Sequence, residues 1–151
     1  LPSVTILQKS FKPENVVPVY TELVTNLLRS PRAGFFLWVV VIICVTTMPW
    51  SNFKGHAHWS RVRWIPFEDH PLSVFDVVGN VLLFVPFGLF FVKATPKRGF
   101  GAQLKVAVLA LLLSASVEFF QIYCHNRFPS ATDVCTNVIG AVIGSAIGFL
   151  R

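Results

Sequence analysis

Charge is scarce in this sequence: Asp, Glu, Lys and Arg make up 13% of its 151 residues, against 54% apolar residues. A water-soluble domain needs a polar exterior to cover its core, and a chain with a mean hydropathy of +0.63 cannot furnish one. That scarcity excludes an ordinary soluble fold. A chain dissolved in lipid needs polar residues only in loops and at functional positions. Cysteine is also scarce, and Cys44, Cys124 and Cys135 are too few for a disulfide framework. Cys44 reads as helix filler; Cys124 and Cys135 flank one loop, where a bridge is geometrically open if that loop faces an oxidising compartment. The sequence has no basic helix face and no interleaving of aromatic with basic residues. Its thirteen Lys and Arg, against seven Asp and Glu, therefore do not point to nucleic acid. His56, His58, His70 and His125 lack the spacing of a metal-ligand set, so no metal or cofactor is expected and they read as exposed loop residues. No signal-peptide order is visible either, because Lys9 and Lys12 precede the polar, Pro-containing stretch Pro13 to Pro18 rather than an apolar core.

What is present is a set of long apolar runs. Ala33 to Trp50 carries no charge, and at about 1.5 Å per residue it is long enough to cross the ~30 Å hydrocarbon core as a first span. Leu72 to Val92 is a second run, apolar apart from Ser73, Asp76 and Asn80 near its start, with Pro86 predicted to kink it. Val106 to Cys124 and Thr132 to Leu150 are the third and fourth, and the short connection from His125 to Ala131 predicts a tight antiparallel hairpin. Glu14 to Ser30 places Val16, Tyr20, Leu23, Val24, Leu27 and Leu28 at near-helical spacing but is too polar to span, which predicts an amphipathic helix in the interface. The predicted fold is all-α: an integral membrane four-helix bundle of two helical hairpins over residues 33–151, preceded by a tail and interfacial helix over residues 1–32.

Basic residues set the orientation. Nine (Lys9, Lys12, Arg29, Arg32, Lys93, Lys97, Arg98, Lys105 and Arg151) fall on one side and four (Lys54, Arg61, Arg63 and Arg127) on the other. That asymmetry predicts both termini in the cytoplasm, with the loops around residues 51–71 and 125–131 facing outward. Trp50, Trp59 and Trp64 near the outer boundary read as interface anchors.

Three acids, Asp76, Glu118 and Asp133, lie inside or at the edge of spans, where each costs about 2.5–3.5 kcal/mol at a helix centre. Asp76 begins one span, Glu118 lies near the end of a span that returns, and Asp133 begins the next, so all three must sit toward one face of the bilayer. Ser73-x-x-Asp76-Val-x-x-Asn80-Val also recurs, 57 residues later, as Ser130-x-x-Asp133-Val-x-x-Asn137-Val, at the start of two spans of the same direction. Helix capping accounts for the Ser and Asp positions as well as a site does. It does not account for Asn80 and Asn137, one turn deeper, whose amides need partners on other helices. Ser114, Glu118, Gln121 and His125 form one polar stripe on the third span, with Arg61, Arg63 and Arg127 as candidate partners for Glu118. Gly140, Gly144 and Gly148 read as a packing face for close helix approach.

The segments Arg63-Trp-Ile-Pro-Phe67, Asn80-Val-Leu-Leu-Phe-Val-Pro-Phe-Gly88 and Ser116-Val-Glu-Phe-Phe-Gln121, followed by Arg127, Asp133, Asn137 and Gly140, resemble the VanZ-like family over roughly Trp50 to Leu150. The resemblance implies a multi-pass bacterial membrane protein whose namesake is linked to low-level resistance to the glycopeptide teicoplanin. It carries the family's polar positions over to Arg63, Asn80, Glu118, Gln121, Arg127, Asp133 and Asn137. It supplies a location and a phenotype of one member, not a reaction.

The candidate ligand-binding residues are thus Arg63, Asp76, Asn80, Glu118, Gln121, Arg127, Asp133 and Asn137, with Glu118 and Asp133 as the acid–base candidates if there is chemistry. Three functions compete. A non-enzymatic envelope protein of the bacterial cytoplasmic membrane would hold a lipid, a lipid-linked envelope precursor or a lipoglycopeptide in an outward polar pocket, its arginines gripping phosphate. A membrane-embedded enzyme would use Glu118 or Asp133 as general acid or base, although no Ser–His pairing or phosphate-cradling Gly loop is present. A small proton-coupled transporter would use the three acids as relays, with a homo-oligomer supplying further helices. The first suits the residues best.

Overall fold

The computed structural model describes residues 30–68, 73–96 and 99–150. Four α-helices account for most of them: α1 (Pro31–Thr47), α2 (Val74–Ala94), α3 (Phe100–Gln121) and α4 (Ala131–Phe149). Among the described residues there is no strand beyond two isolated bridges. The expected interfacial helix at Glu14 to Ser30 falls, but for its last residue, outside the described residues.

Local chemistry sets where each helix starts and stops. α1 opens with Pro31 in its first turn, where a missing N–H costs nothing. It ends at Thr47, not Trp50, because Pro49 drives Met48 into extended backbone (ψ 150°). α2 is capped by Ser73, whose Oγ accepts the Asp76 N–H at 3.3 Å, and Asp76 itself favours the positive end of the helix dipole. α3 begins directly after Gly99, which stands at φ 113°, and so starts six residues earlier than its apolar run suggests. α4 is capped by Ser130, whose Oγ accepts the Thr132 N–H at 3.1 Å. α2 runs unbroken through Pro86. Nearby, the Leu83 carbonyl accepts a 2.8 Å hydrogen bond from the indole of Trp38 on α1.

α2, α3 and α4 are each long and apolar enough to cross a membrane, while α1, at 17 residues, is a shorter apolar helix. Their outward faces carry Leu37, Val40, Leu82, Leu112 and Ile143, all exposed, as expected where the solvent is hydrocarbon. The core is narrow: Ile42, Phe84, Phe87, Val106, Ala110 and Ala141 are buried at its centre.

The closest packing joins the two hairpins. It is made between α2 and α4, which run parallel, and is more extensive than the contact within either hairpin. Glycine makes this possible, because Gly140 and Gly144 lie directly on the backbone carbonyls of Val81 and Val85, and Gly88 lies on that of Ala141. A Cβ at any of the three would overlap backbone, so the small-residue stripe is the seam of the bundle. The two copies of the Ser–Asp–Asn pattern open these two adjacent helices and therefore lie side by side.

Candidate functional site

One end of the bundle, where α1 and α3 finish and α2 and α4 begin, is closed by a cap. The segment after α1 is stitched onto the α3–α4 connection by backbone hydrogen bonds: Lys54 N–H to the Tyr123 carbonyl (2.9 Å), His58 N–H to Ile122 (2.9 Å) and His125 N–H to Asn52 (2.8 Å). Further along, Arg63 N–H donates to the Pro129 carbonyl and Ala131 N–H donates to that of Arg63, both at 2.9 Å. Phe67, at φ 63°, donates its N–H to Thr132 Oγ1 at 2.8 Å. These bonds hold Arg63 beside the start of α4. Arg61 is used differently, its guanidinium bonded to the His125 carbonyl.

Beneath the cap, between the helix ends, lies a cavity of about 670 Å³. Asp76 and Asn80 reach it from α2, Glu118 and Gln121 from α3, Asp133 and Asn137 from α4, and Arg63 and Arg127 from the cap. All eight candidate residues therefore line one space. The volume falls in the range of small-molecule sites, roughly 300–1,000 Å³.

The polar groups are tied to the helix ends. Glu118 Oε2 accepts the backbone N–H of Ser130 at 2.8 Å. In a capping box that N–H is taken by an acid three residues further along the same helix. Here α3 supplies the carboxylate across the bundle, and Asp133, the residue at that position, lines the cavity. Arg127 and Asp133 are both within electrostatic reach of Glu118. Arg127 also donates through Nη2 to the Met48 carbonyl at 3.0 Å, and Gln121 Nε2 donates to the Thr46 carbonyl at 3.0 Å, so the α3 side holds the end of α1. Asn137 is 5% exposed; its Nδ2 donates to Ser114 Oγ at 2.8 Å, while its Oδ1 is buried without a hydrogen-bond partner among the described residues.

Two expectations need correction. The polar stripe on α3 stops at Gln121, because the helix ends there, and His125 lies in the turn beyond, exposed and away from the cavity. The most direct partner of Glu118 is a backbone N–H rather than an arginine; of the three arginines considered, Arg127 is the one that acts on it electrostatically. Sequence reasoning also left Thr46, Phe75, Asn126 and Phe128 out of the site, all of which line the cavity. None carried a signal, since they enter through the packing of α1 and the fold of the cap.

The histidines are less dispersed than exposed loop residues would be. The rings of His56 and His58 lie 4.5 Å apart and those of His58 and His125 5.9 Å apart, with His58 Nε2 covered and without a hydrogen-bond partner among the described residues. No group of three His, Cys, Asp or Glu among the described residues is placed to hold a metal ion. Desolvation lowers the pKa of His58, and Arg61, His56 and His125 add to the effect. A depressed histidine pKa means the folded cap binds fewer protons than the unfolded chain. Stability from this source is present above the ordinary value of about 6.5 and is lost as pH falls below it. Amide exchange at Lys54 and His58, taken relative to the intrinsic rate at each pH, should quicken on acidification from pH 7.5 to 5.5. A His58→Gln protein with the same quickening would assign it to another group. Cys124 and Cys135 are both free thiols, and desolvation raises the pKa of buried Cys124.

A helical bundle with lipid-type outer faces and a capped polar cavity at one end defines a polytopic membrane protein. Residues 35–151 match the family model for VanZ/LLP1, and the chain belongs to that family. The match begins within the first turns of α1 and runs through the cap and the other three helices. No curated protein and no solved structure matched the chain.

Proposed function

We propose that this VanZ-like protein binds an amphiphile, such as a membrane lipid, a lipid-linked envelope precursor or a lipoglycopeptide, with the polar head in the cavity and the chain along the apolar helices. The observation behind this reading is the convergence of Arg63, Arg127, Asp76, Asn80, Glu118, Gln121, Asp133 and Asn137 on one space at the end of a bundle otherwise faced by hydrocarbon side chains. Polar groups of this kind are costly in a membrane and face interior cavities when they have a use there. Guanidinium groups suit phosphate or carboxylate, and Arg127 has donors besides the one given to Met48. The excess of basic residues on the opposite side supports a bacterial cytoplasmic membrane orientation with both termini inside and the cavity outward. The role is binding rather than turnover, and a link to teicoplanin susceptibility follows from the family's namesake.

The purified protein should bind a fluorescent-tailed phospholipid saturably in dodecyl maltoside micelles, and Arg127→Ala should weaken that binding by ~10-fold or more, as loss of a charge-assisted contact does. Unsaturable partitioning that Arg127→Ala leaves unchanged would refute the site. Turnover of a lipid-linked substrate, abolished by Glu118→Gln in a folded protein, would replace binding by the enzymatic reading of Glu118 and Asp133.

A further inference from the structure

Resting on the amphiphile reading above, we propose that the head group taken by this cavity is a zwitterion, a phosphate with a primary ammonium close by, on a lipid that enters sideways between α1 and α2.

Charge balance carries the first part. The cavity wall holds two guanidinium groups, Arg63 and Arg127, and three carboxyl groups, Asp76, Glu118 and Asp133. Arg63 and Asp133 are engaged within the protein and Glu118 takes the Ser130 N–H, so Arg127 and Asp76 are the pair of opposite sign left to meet a ligand. A purely anionic head held by Arg127 would share the cavity with Asp76, and a simple cation held by Asp76 would share it with Arg127, and either mismatch is unfavourable. A head group with both signs meets both at once. The placement fits this, since Arg127 comes from the cap, anchored to Met48, whereas Asp76 comes from α2, and both line the cavity. The Asp76 carboxylate accepts no hydrogen bond from any described residue, and the residue is exposed although it lies in a membrane-length helix. A carboxyl at that position suits a ligand that brings a hydrogen-bond donor. The buried, unpartnered Asn137 Oδ1 is a second acceptor in the same cavity and suits the N–H groups of a primary ammonium.

The route of entry follows from how α1 meets its neighbours. Toward the end away from the cap, α1 is fastened to α2: Gly34 lies against Phe90, Phe35 packs on Phe87 and Phe91, and Trp38 bonds Leu83. Toward the cap, α1 is fastened to α3 and the cap instead, through Thr46 and Met48. The two helices are thus joined at one end, and the cavity reaches between them at the other. Exposed Val45 and Phe75 stand on its rim, an apolar edge along which an acyl chain can lie while its head turns inward.

The test uses the full chain in dodecyl maltoside, an uncharged host, with dihexanoyl lipids displacing a fluorescent-tailed phosphatidylethanolamine. Dihexanoyl phosphatidylethanolamine should bind ~10-fold tighter than dihexanoyl phosphatidylglycerol, which has the phosphate without the ammonium. Asp76→Asn should remove most of that ratio, and Asp76→Lys should turn it toward phosphatidylglycerol. Asp76→Glu, which keeps the charge, should keep the ratio, so the asparagine and glutamate pair suffices if the lysine variant does not fold. Phosphatidylglycerol binding as tightly as phosphatidylethanolamine, or a ratio unmoved by Asp76→Asn, overturns the zwitterion while leaving an amphiphile site standing. Glycerophosphoethanolamine binding as tightly as the lipid overturns the lateral, chain-bearing ligand. Absence of binding by every lipid overturns this proposal together with the reading it rests on.

Discussion

Gly144→Leu should prevent the protein from folding stably, with Gly140→Leu and Gly88→Leu close behind. A side chain added to a packed core commonly costs about 1–3 kcal/mol, because neighbouring side chains rotate away. Here the neighbours are main-chain carbonyls: Val85 opposite Gly144, Val81 opposite Gly140 and Ala141 opposite Gly88. A carbonyl in a helix cannot rotate away without breaking its hydrogen bond, so α2 and α4 must separate. Separation would open the most extensive contact in the bundle and expose Thr136 and Asn137, both buried polar residues, to hydrocarbon. The expected cost is therefore above the usual overpacking range, more than about 3 kcal/mol. Thermal unfolding in detergent and the monodisperse yield from membranes both report it. Gly101→Ala is the comparison, because nothing lies within 4 Å of its added Cβ. A Gly144→Leu protein that unfolds at the same temperature as Gly101→Ala would remove the glycine seam as the element that holds the bundle.

The second large effect is expected at Glu118, and its size depends on what replaces the carboxyl group. Glu118→Ala leaves the Ser130 N–H, in a residue only 6% exposed, without its acceptor at the start of α4. A typical hydrogen bond contributes about 0.5–1.5 kcal/mol, and an orphaned buried donor costs about 1–3 kcal/mol. Glu118→Gln keeps an oxygen of similar reach and so keeps most of that stability, while removing an ionisable group from the cavity beside Arg127 and Asp133. The alanine variant should unfold well below the unaltered protein and the glutamine variant near it, with ligand binding altered in both. This pair distinguishes a group that only caps α4 from one that also serves the cavity. Equal destabilisation by Ala and Gln would mean that the charge, not the acceptor geometry, holds α4 in place. Full binding by a stable Glu118→Gln would leave the carboxylate a structural role alone.

Much of the fold was legible beforehand because a bilayer imposes a simple rule: apolar runs of membrane length become helices, and charges fall between them. The runs at residues 72–92, 106–124 and 132–150 correspond to α2, α3 and α4 within a few residues, except at the start of α3. There Lys105, exposed, marks a polar margin that hydropathy discounts and backbone geometry at Gly99 does not. The first run was drawn three residues too long, since apolarity continues through Pro49 and Trp50 while the helix cannot. The three acids could be assigned to one face from chain direction alone, and spacing put Asn80 and Asn137 beneath their acids. That reasoning reaches as far as which end of the bundle is polar. It does not reach which groups touch, because contacts between helices depend on rotation about each axis.

The apolar runs, the paired Ser–Asp–Asn pattern and the family resemblance by themselves determined a four-helix membrane bundle with its acids and amides at one end; these are properties of order along the chain, and order along the chain is all that hydropathy and spacing can express. Only the tertiary structure decided that α2 and α4 form the seam, that Glu118 caps a helix other than its own, that His125 leaves the polar stripe for a histidine cluster, and that the cap lies over the polar cavity. Each of these depends on the close approach of segments distant in sequence, set by backbone contact at Gly140 and Gly144 and by the hydrogen bonds that join the cap to the α3–α4 connection.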